Sequence, residues 1–447
     1  MDISRRLFLK SGALALVSVG AMPVVGPSFL RRAVFADEAS RLRSGSGGRK
    51  TLICIFQRGA VDGLSMVVPH GDADYYKLRS AGAGGIALAR TGDNSVLDLD
   101  GHFGFHPALK ALQPIYQSGH LAPIQAVGSP SSTRSHFDAQ DFMETGSPDR
   151  TLPDGWVKRA LEHCPEDAAR AQATFRAVAM TSELPKTLRG ENDALAIPDL
   201  RTFGVKGGGA DLAASLGGQI AGQSKNRNDA AGGFESLYQD AVGDVLGGTG
   251  RESFEAIKIL KGISSKPYQA QNGAKYPGGN FGKSLQQIAQ LIKADVGVEV
   301  AFAESGGWDT HVNQGAAQGQ LSRRLQEFGD GLAALYADLG DRMSDVVILT
   351  MSEFGRTAHQ NGNGGTDHGH ATCFLALGGN VSGGKVLGDW PGLAPEQLNE
   401  GRDLAVTTDF RDVFGEVAQR HLGVNDLSAV FPYRTQKAAF RNVLRST

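Results

Sequence analysis

Carboxylates and imidazoles occur together in two short, glycine-flanked segments of this sequence. Asp309 precedes His311 by two positions, and Asp367, His368 and His370 fall within four positions of one another. Aspartate or glutamate with histidine is the ligand set for zinc, manganese or a similar divalent ion, and carboxylates favour the harder metals. Glycines beside such side chains let the backbone turn sharply and approach a ligand closely. The spacing therefore predicts a divalent-metal site.

A hydroxyl-rich segment, residues 129–135 (SPSSTRS), adds candidate nucleophiles. It lies between an expected strand and a helix that we expect to begin near His136, and a helix N-terminus stabilises an anion such as an alkoxide. Arg134 could pair with phosphate or sulfate oxygens. Capping of the helix by Ser135 is the competing explanation, because hydroxyls at such positions cap more often than they attack. For the same reason, His136 is interpreted by default as part of a helix start.

Other candidates also have an ordinary structural explanation. Asp62 precedes Gly63 and could serve as a turn residue. Glu353 and Arg356 could form an ion pair at the end of a strand. His370 could point away from its neighbours. The residues alone leave these alternatives open.

The elements that must position these residues are the strands of an α/β sheet. Six short apolar runs rich in β-branched residues recur between helical patterns, at residues 52–56, 121–127, 175–180, 296–303, 346–351 and 373–377. Such runs are typical of strands buried on both faces, as in a mostly parallel sheet. Polar segments follow four of these runs and precede the last. Because ligands of open α/β sheets bind beyond the carboxyl ends of the strands, the pattern predicts one crevice that gathers the carboxylates and imidazoles.

Two helices with an apolar stripe fit the crossovers of a doubly wound α/β fold, in which helices flank the sheet. Ser284 and Gln287 predict a capping box at the start of the first helix. The stripes consist of Leu285, Ile288, Leu291 and Ile292, and of Leu321, Leu325, Phe328, Leu332, Leu335 and Leu339. Residues 185–280 differ, because they are rich in glycine and alanine, contain helical pieces such as 234–245 and show no convincing strand. We interpret them as a helical insertion.

Residues 1–36 resemble a twin-arginine export signal, with Arg5–Arg6 ahead of an uncharged stretch at residues 11–30. Two prolines and three glycines in that stretch disfavour a stable membrane anchor. We expect cleavage after position 36, a polar linker over 37–50 and one α/β domain over 51–447. The resemblance implies that the twin-arginine translocation machinery is a partner and that the mature protein is exported to the periplasm.

Charge and cysteine content narrow the function classes. The 45 Lys and Arg against 47 Asp and Glu give a formal net charge of −2, which argues against nucleic acid as a partner because nucleic-acid binders carry a basic excess. The three cysteines, Cys54, Cys164 and Cys373, include no C-x-x-C pair. Neither a disulfide scaffold nor a thiolate zinc site is therefore expected.

Five motifs occur in one order along the chain: RGAVDGLSMVVP, TRSHFDAQDFME, GGWDTHVNQ, SEFGRT and GTDHGH. Together they resemble an exported bacterial family catalogued as domain of unknown function 1501, which is similar to the alkaline phosphatase and sulfatase superfamily. The resemblance extends from about Thr51 to about Val424. It implies an alkaline-phosphatase-like α/β domain with one or two metal ions at the strand ends and a serine, threonine or formylglycine nucleophile. The family itself has no settled activity.

The resemblance implies roles for individual metal ligands. Asp62 stands where the superfamily's first-strand aspartate binds metal, and the segment that begins at Asp367 looks like its late histidine segment. Asp309 resembles the aspartate that opens an Asp-x-x-x-His motif. The fourth residue on is Asn313, so that His311 or Asn313 must substitute for the histidine.

The sequence also departs from the superfamily. Ser352–Glu353 stands where an Asp–His pair is usual, which removes one imidazole from the set. The nucleophile region lacks the Cys/Ser-x-Pro-x-Arg signature of sulfatases, so formylglycine chemistry is not implied. The candidate nucleophiles are Ser132, Thr133 and Ser135, in no fixed order.

The first hypothesis is an exported, metal-dependent hydrolase that acts on a small anionic phosphate or sulfate ester. The expected ligands of a zinc, manganese or calcium ion are Asp62, Asp309, His311, Glu353, Asp367 and His368. Arg134 or Arg356 would stabilise the developing charge. The alternative is a non-catalytic metal- or glycan-binding envelope protein on the same fold. A third hypothesis is a structural scaffold without metal.

Overall fold

The computed structural model describes residues 49–148, 152–165, 175–190, 194–202, 258–265 and 267–445. The expected signal at 1–36, nearly all of the linker at 37–50 and the helical piece at 234–245 lie outside these residues. Within the described ranges, no helix is long and apolar enough to cross a bilayer.

An eight-stranded sheet forms the centre of the molecule, and a three-stranded sheet lies beside it. The strands are β1 (Thr51–Arg58), β2 (Val67–Val68), β3 (Leu97–Asp98), β4 (Gly104–Phe105), β5 (Leu121–Gly128), β6 (Ala177–Ala179), β7 (Ala194–Ala196), β8 (Val300–Gly306), β9 (Val346–Met351), β10 (Thr372–Gly378) and β11 (Thr408–Asp409). The order in the large sheet is β11-β5-β10-β9-β1-β8-β6-β7, and in the small sheet β2-β4-β3. All six predicted strands are therefore present in the large sheet.

The large sheet is mostly parallel, as predicted. Strand β1 pairs in parallel with both β8 and β9, and β6 pairs in parallel with both β7 and β8. Strand β10 is the exception, because it runs antiparallel to both of its neighbours, β5 and β9. Its amino end therefore lies at the edge where the other strands have their carboxyl ends.

Helices cover both faces of the large sheet. The α-helices are α1 (Gly63–Met66), α2 (Tyr75–Leu78), α3 (Gln113–Gln117), α4 (His136–Thr145), α5 (Trp156–Glu162), α6 (Gly279–Lys293), α7 (Gln320–Leu339), α8 (Phe410–Val417) and α9 (Leu427–Val430). Shorter helical turns are Pro107–Leu112, Lys186–Leu188, Gly340–Asp345, Pro395–Gln397 and Ala418–Leu422. Residues 258–264 are helical as well.

Alternate side chains of β1 enter two separate hydrophobic cores. Ile53 and Ile55 pack with the apolar stripes of α6 and α7, whereas Leu52, Cys54 and Phe56 pack with α5 and α8. This alternation follows from the two-residue period of a strand. It explains why the strand reads as a continuous apolar run, and it confirms that helices flank the sheet on both faces. All three cysteines are buried, and none of them forms a disulfide bond.

The two predicted helical stripes are confirmed, but the predicted start of α6 is wrong. Every residue of both stripes is buried. The helix begins at Gly279 with Gly278 as its N-cap, so Ser284 lies inside it rather than capping it. Phe281, five per cent exposed, stacks on Phe328 of α7 at a ring-centroid distance of 5.6 Å. Packing of this aromatic side chain thus accompanies an N-cap six residues earlier than the one predicted.

The described part of the segment expected as a helical insertion without strands contains a strand. Strand β7, Ala194–Ala196, lies within the predicted range 185–280 and pairs with β6. Alanine and leucine give little strand signal in a sequence, and here burial against the sheet decides the conformation. Residues 258–264 are helical, and residues 203–257 lie outside the described part of the chain.

Candidate metal centre

The five polar segments predicted to meet in one crevice lie at one edge of the large sheet. Four of them follow the carboxyl ends of β1, β5, β8 and β9. The fifth, residues 365–370, precedes β10. It reaches the same edge because β10 is antiparallel to its neighbours.

Three imidazole Nε2 atoms converge at this edge. The Nε2 atom of His368 lies 3.0 Å from that of His136 and 3.0 Å from that of His311. The carboxylate of Asp309 lies among them, with Oδ1 2.9 Å from His311 Nε2 and 3.3 Å from His368 Nε2. Its Oδ2 lies 3.6 Å from His136 Nε2. We call His136, Asp309, His311 and His368 the histidine cluster.

The other nitrogen of each ring is held by an acceptor. The Nδ1 atom of His136 lies 2.8 Å from Glu353 Oε1, and that of His311 lies 2.9 Å from Asp367 Oδ1. The Nδ1 atom of His368 lies 3.0 Å from the carbonyl oxygen of Arg134. Because carboxylate and carbonyl oxygens accept hydrogen bonds, each Nδ1 must donate. The neutral rings therefore point their Nε2 lone pairs at one another.

Lone pairs 3.0 Å apart require a cation between them, either a proton or a metal ion. The hydrogen bond with Glu353 raises the pKa of His136, although burial opposes it. Burial and the charge of His136 lower the pKa of His368. Ligand atoms of His136, Asp309 and His368 lie within 4.8 Å of one another, a spacing that suits one metal ion. Rings fixed through Nδ1 by a carboxylate or a carbonyl are the usual form of metal-binding histidine.

Glu353 orients His136 from a buried position. It accepts hydrogen bonds from the Gly59 amide at 2.8 Å and from Gln140 Nε2 at 3.0 Å, in addition to the bond from His136. Burial opposes its ionisation, but these bonds outweigh burial and lower its pKa. Asp367 plays the same part for His311, whose hydrogen bond lowers the pKa of Asp367. Both carboxylates, predicted as metal ligands, thus accept the Nδ1 hydrogen bond of a histidine in the cluster.

Arg356 fixes Asp309 rather than facing the crevice. Its Nη1 atom donates to Asp309 Oδ1 at 2.5 Å, its Nε donates to Thr366 Oγ1 at 3.2 Å, and its Nη2 donates to the Thr366 carbonyl. The arginine side chain is fully buried. Burial raises the pKa of Asp309, but the hydrogen bond and charge of Arg356 outweigh it, so the pKa lies below its usual range. Asp309 is therefore held as a carboxylate.

Asp62, predicted as a ligand, does not join the histidine cluster. Its two oxygens accept from the Arg79 guanidinium at 2.8 and 3.0 Å, and Oδ2 also accepts from Gln314 Nε2 at 2.7 Å. Both charged side chains are buried. Burial opposes ionisation of Asp62, but Arg79 lowers its pKa. These contacts give Asp62 the geometry of a structural anchor, whereas the resemblance implies a ligand role for it.

Two of the three predicted hydroxyl nucleophiles, Thr133 and Ser135, are engaged in local structure. Ser135 caps α4 by accepting from the Asp138 amide at 3.4 Å, and Thr133 Oγ1 accepts from the Ser135 amide at 3.3 Å. Ser132 is exposed. Among the described residues, no hydrogen bond joins the hydroxyls of Ser132, Thr133 or Ser135 to the histidine cluster.

Arg134, predicted to bind ester oxygens, pairs with carboxylates of this chain. Its Nη2 atom donates to Glu400 at 2.7 Å and to the buried Asp403 at 2.8 Å. Its contribution to the histidine cluster is the backbone carbonyl that holds His368. The guanidinium thus fixes the loop that carries this carbonyl.

His136 belongs to the histidine cluster, although its sequence context did not mark it as a candidate. Its position at the first residue of α4, directly after the capping Ser135, offered a sufficient structural explanation. The available signal was its place in TRSHFDAQDFME, one of the five motifs that carry the resemblance. For His370, the sequence left open whether the ring points toward or away from its neighbours. Its Nε2 atom lies 2.8 Å from the carbonyl oxygen of Ser129.

The histidine cluster is open to solvent on one side. The side chains of Asp309 and His311 are 43% and 39% exposed, and those of His136 and His368 are each 25% exposed. The buried ring of Phe354 closes the opposite side, with its centroid 4.9 Å from that of His136 and 5.1 Å from that of His368. A small molecule can therefore reach the cluster from the solvent side.

Comparison with protein families places the chain in one of them. The sequence model of a family described as protein of unknown function (DUF1501) matches residues 49–431. The chain belongs to this family, which confirms that part of the resemblance. No curated protein matches the chain.

Proposed function

We propose that this DUF1501 protein is an exported metal-dependent hydrolase of phosphate or sulfate esters, with one divalent ion held by His136, Asp309, His311 and His368. The observation that carries the proposal is the convergence of three Nε2 atoms on one carboxylate, with every Nδ1 held from behind. An arrangement that is costly without a cation is well suited to bind one.

The donor set favours a transition metal. Three imidazoles and one carboxylate suit zinc and neighbouring first-row ions. Calcium, one of the ions considered from the sequence, takes six to eight oxygen ligands. We therefore propose zinc first and manganese second. A bound ion would supply Lewis-acid chemistry, since it polarises an ester oxygen and makes water a better nucleophile.

Residues around the histidine cluster hold its carboxylate ionised and its imidazole rings in place. Arg356 keeps Asp309 ionised, and Glu353 and Asp367 keep the rings of His136 and His311 turned inward. Because the hydroxyls of Thr133 and Ser135 accept backbone N–H groups, and no hydrogen bond among the described residues joins Ser132 to the histidine cluster, we propose water rather than a hydroxyl side chain as the nucleophile. The bond from phosphorus or sulfur to the leaving oxygen breaks as a bond to the water oxygen forms, and the proton of water goes to the leaving alcohol.

Two further features support the proposal. A mostly parallel sheet with helices on both faces, and a candidate site at its carboxyl edge, agree with an alkaline-phosphatase-like fold. The twin arginines at the N-terminus agree with export to the periplasm by the twin-arginine machinery.

Hydrolysis of 4-nitrophenyl phosphate and 4-nitrophenyl sulfate tests the proposal. The full chain, stripped with a chelator and reloaded with zinc or manganese, should hydrolyse at least one of these esters, and the stripped chain should not. His368→Ala should lose both metal and activity while staying folded. His370→Gln, two positions away, should keep both, because its ring binds the Ser129 carbonyl. Full activity of the stripped chain or of His368→Ala would refute the proposal.

A non-catalytic binding protein is the second candidate. The observation in its favour is that the guanidinium groups of Arg134 and Arg356 are both engaged by this chain. Stoichiometric metal without hydrolysis of either ester would favour this candidate. Absence of metal after loading would favour the structural scaffold.

A further inference from the structure

A cleft of about 630 Å³ lies along the same sheet edge as the histidine cluster. It is bounded by the carboxyl ends of β6 and β8 and by helices α6 and α7. Gly306 in its wall precedes Asp309 by three residues, so their Cα atoms are at most about 11 Å apart. The wall of the cleft therefore lies close enough to a proposed metal ligand for one substrate to extend from the cleft to the proposed ion. The volume is within the range of small-molecule sites.

The lining of the cleft is polar, unlike that of most ligand pockets, in which apolar side chains predominate. Hydroxyl and amide groups come from Thr181, Ser182, Ser284, Ser305 and Asn280. Such groups both donate and accept hydrogen bonds. This lining suits a ligand that presents many hydroxyls.

The charged groups of the cleft balance one another. Glu304 accepts from Arg58 at 2.9 Å, and Lys283 donates to Asp199 at 2.6 Å. Arg324 Nη1 donates to Glu327 at 3.3 Å. Since each charge in the wall has a partner of opposite sign on the protein, the cleft favours neither a cationic nor an anionic ligand.

The positive end of α6 is also occupied. Gly279 opens this helix, and a Cβ atom placed there would lie 3.2 Å from Glu327 Oε1. A carboxylate at a helix N-terminus satisfies the dipole that would otherwise attract an anion. The cleft is therefore not a second phosphate site.

We infer that this cleft binds the neutral, hydroxyl-rich part of the substrate, namely one or more sugar units. The inference rests on the proposed function in one respect, since it places the sugar beside the metal ion that would act on its ester. Binding of the sugar itself requires neither metal nor turnover.

Titration of the chelator-stripped full chain with neutral trisaccharides tests the inference. Maltotriose, cellotriose and triacetylchitotriose are titrated separately by calorimetry, with inorganic phosphate as the anionic comparison. At least one trisaccharide should bind with a millimolar or lower Kd, and phosphate should not compete with it. Failure of all three to bind, or competition by phosphate, would overturn the inference.

A substitution at Gly306 links binding to the cleft. A side chain at this position meets open space, and its backbone lies outside the left-handed region. Gly306→Trp should therefore fill the cleft and weaken trisaccharide binding at least tenfold, while Gly306→Ala should bind as the wild type does. The double variant Ser182→Ala/Asn280→Ala removes hydrogen-bonding groups without added bulk and should also weaken binding. Unchanged binding in both cleft variants would overturn the inference.

Metal content separates this inference from the proposed function. A chain that binds sugar but holds no metal after reloading supports the cleft and refutes the metal centre. A chain that holds metal and hydrolyses 4-nitrophenyl phosphate but binds no trisaccharide supports the metal centre and refutes sugar binding in the cleft.

Discussion

Different acceptors hold the three imidazoles of the histidine cluster. This difference affects how strongly the Nε2 atom of each ring would bind a metal ion. Carboxylates stand behind His136 and His311, whereas a backbone carbonyl stands behind His368. A carboxylate partner makes the ring more basic and a better metal ligand. Glu353 is fully buried, while Asp367 is 54% exposed. The Glu353–His136 pair is therefore the better shielded of the two.

Asp62 and Arg79 form a buried ion pair, and its removal should reduce stability. Asp62→Ala leaves the Arg79 guanidinium without its carboxylate in a buried site. We expect the free energy of unfolding to fall by about 3–5 kcal/mol, measured by urea unfolding in the presence of a chelator. The folded variant should still bind one metal ion.

A double variant provides the control for this prediction. Asp62→Leu with Arg79→Met replaces both charges by apolar side chains, and such replacements are often neutral or stabilising. It should therefore be clearly more stable than Asp62→Ala. An Asp62→Ala variant of wild-type stability that has lost its metal would contradict the anchoring role and restore Asp62 as a ligand.

The sequence indicated the chemical type of most site residues, but not which of them would face the proposed ion and which would hold a histidine from behind. Asp309, His311 and His368 were predicted together and lie together. Glu353 and Asp367 have the right chemistry, but no sequence pattern tells whether a carboxylate binds an ion directly or through a histidine. For His136, a local capping explanation outweighed a contact whose partner lies 217 residues away.

Two loops meet at the histidine cluster, and Gln314 joins them. Its Oε1 atom accepts from Thr310 at 2.8 Å, in the loop after β8, and from Thr366 at 2.9 Å, in the loop before β10. Its Nε2 atom donates to Asp62. Asp309 and His311 are thereby held in register with His368 by a network that itself lies outside the cluster.

The two loops also approach each other closely at Gly365. A Cβ atom at this position would lie 2.4 Å from the carbonyl oxygen of His311. Gly365→Ala should therefore push the loops apart, with a loss of about 1–3 kcal/mol in unfolding free energy and a weaker affinity for zinc. Urea unfolding and competition with a chromogenic chelator measure the two effects.

Gly362 offers a matched control in the same loop. A Cβ atom there has nothing within 4 Å, so Gly362→Ala should change neither stability nor zinc affinity. Equal behaviour of the two alanine variants would show that the close approach at Gly365 does not position the site.

Elements with a strong pattern were predictable, and short or reversed ones were not. Strand β9 matches its predicted range of 346–351 because a mostly apolar run, VVILTM, is bounded by Asp345 and Ser352. The direction of β10 is set by its pairing with β5 and β9, which its own residues do not encode. Strands β7 and β11, of three and two residues, are too short to show a period.

Stability of the whole molecule should depend on pH through two buried histidines. Burial lowers the pKa of His106 and of His421 to about 4. Between pH 4 and 6.5 the unfolded chain binds a proton at each position and the folded chain does not, so the free energy of unfolding falls as the pH falls. Between pH 7 and pH 4.5, each histidine should contribute about 2 kcal/mol to this loss. Urea unfolding at pH 7 and pH 4.5, with a chelator present, measures it.

The structure gives a reason for the neutral form of His106. Its Nδ1 atom accepts from the Ala108 amide at 3.0 Å, and a protonated ring would lose this bond. His106→Gln should therefore reduce the pH dependence, whereas replacement of the exposed His359 by Gln should leave it unchanged. A wild-type chain equally stable at both pH values would contradict this account.

At the scale of the molecule, composition and periodicity predicted an α/β sheet flanked by helices, because burial on both faces leaves a clear apolar signature. The cleft beside β8 could not be predicted. Its walls come from four separated elements, and the pairing of its charges depends on their packing.

The metal content of the full chain and of two variants tests the central claim most directly. The protein is purified without an affinity tag, loaded with zinc, freed of excess ion and measured by plasma mass spectrometry. We predict one equivalent in the wild type, one in His370→Gln and a large loss in His136→Ala, with all three folded. No bound metal in the loaded wild type, or one full equivalent in His136→Ala, would contradict the histidine cluster as a metal centre.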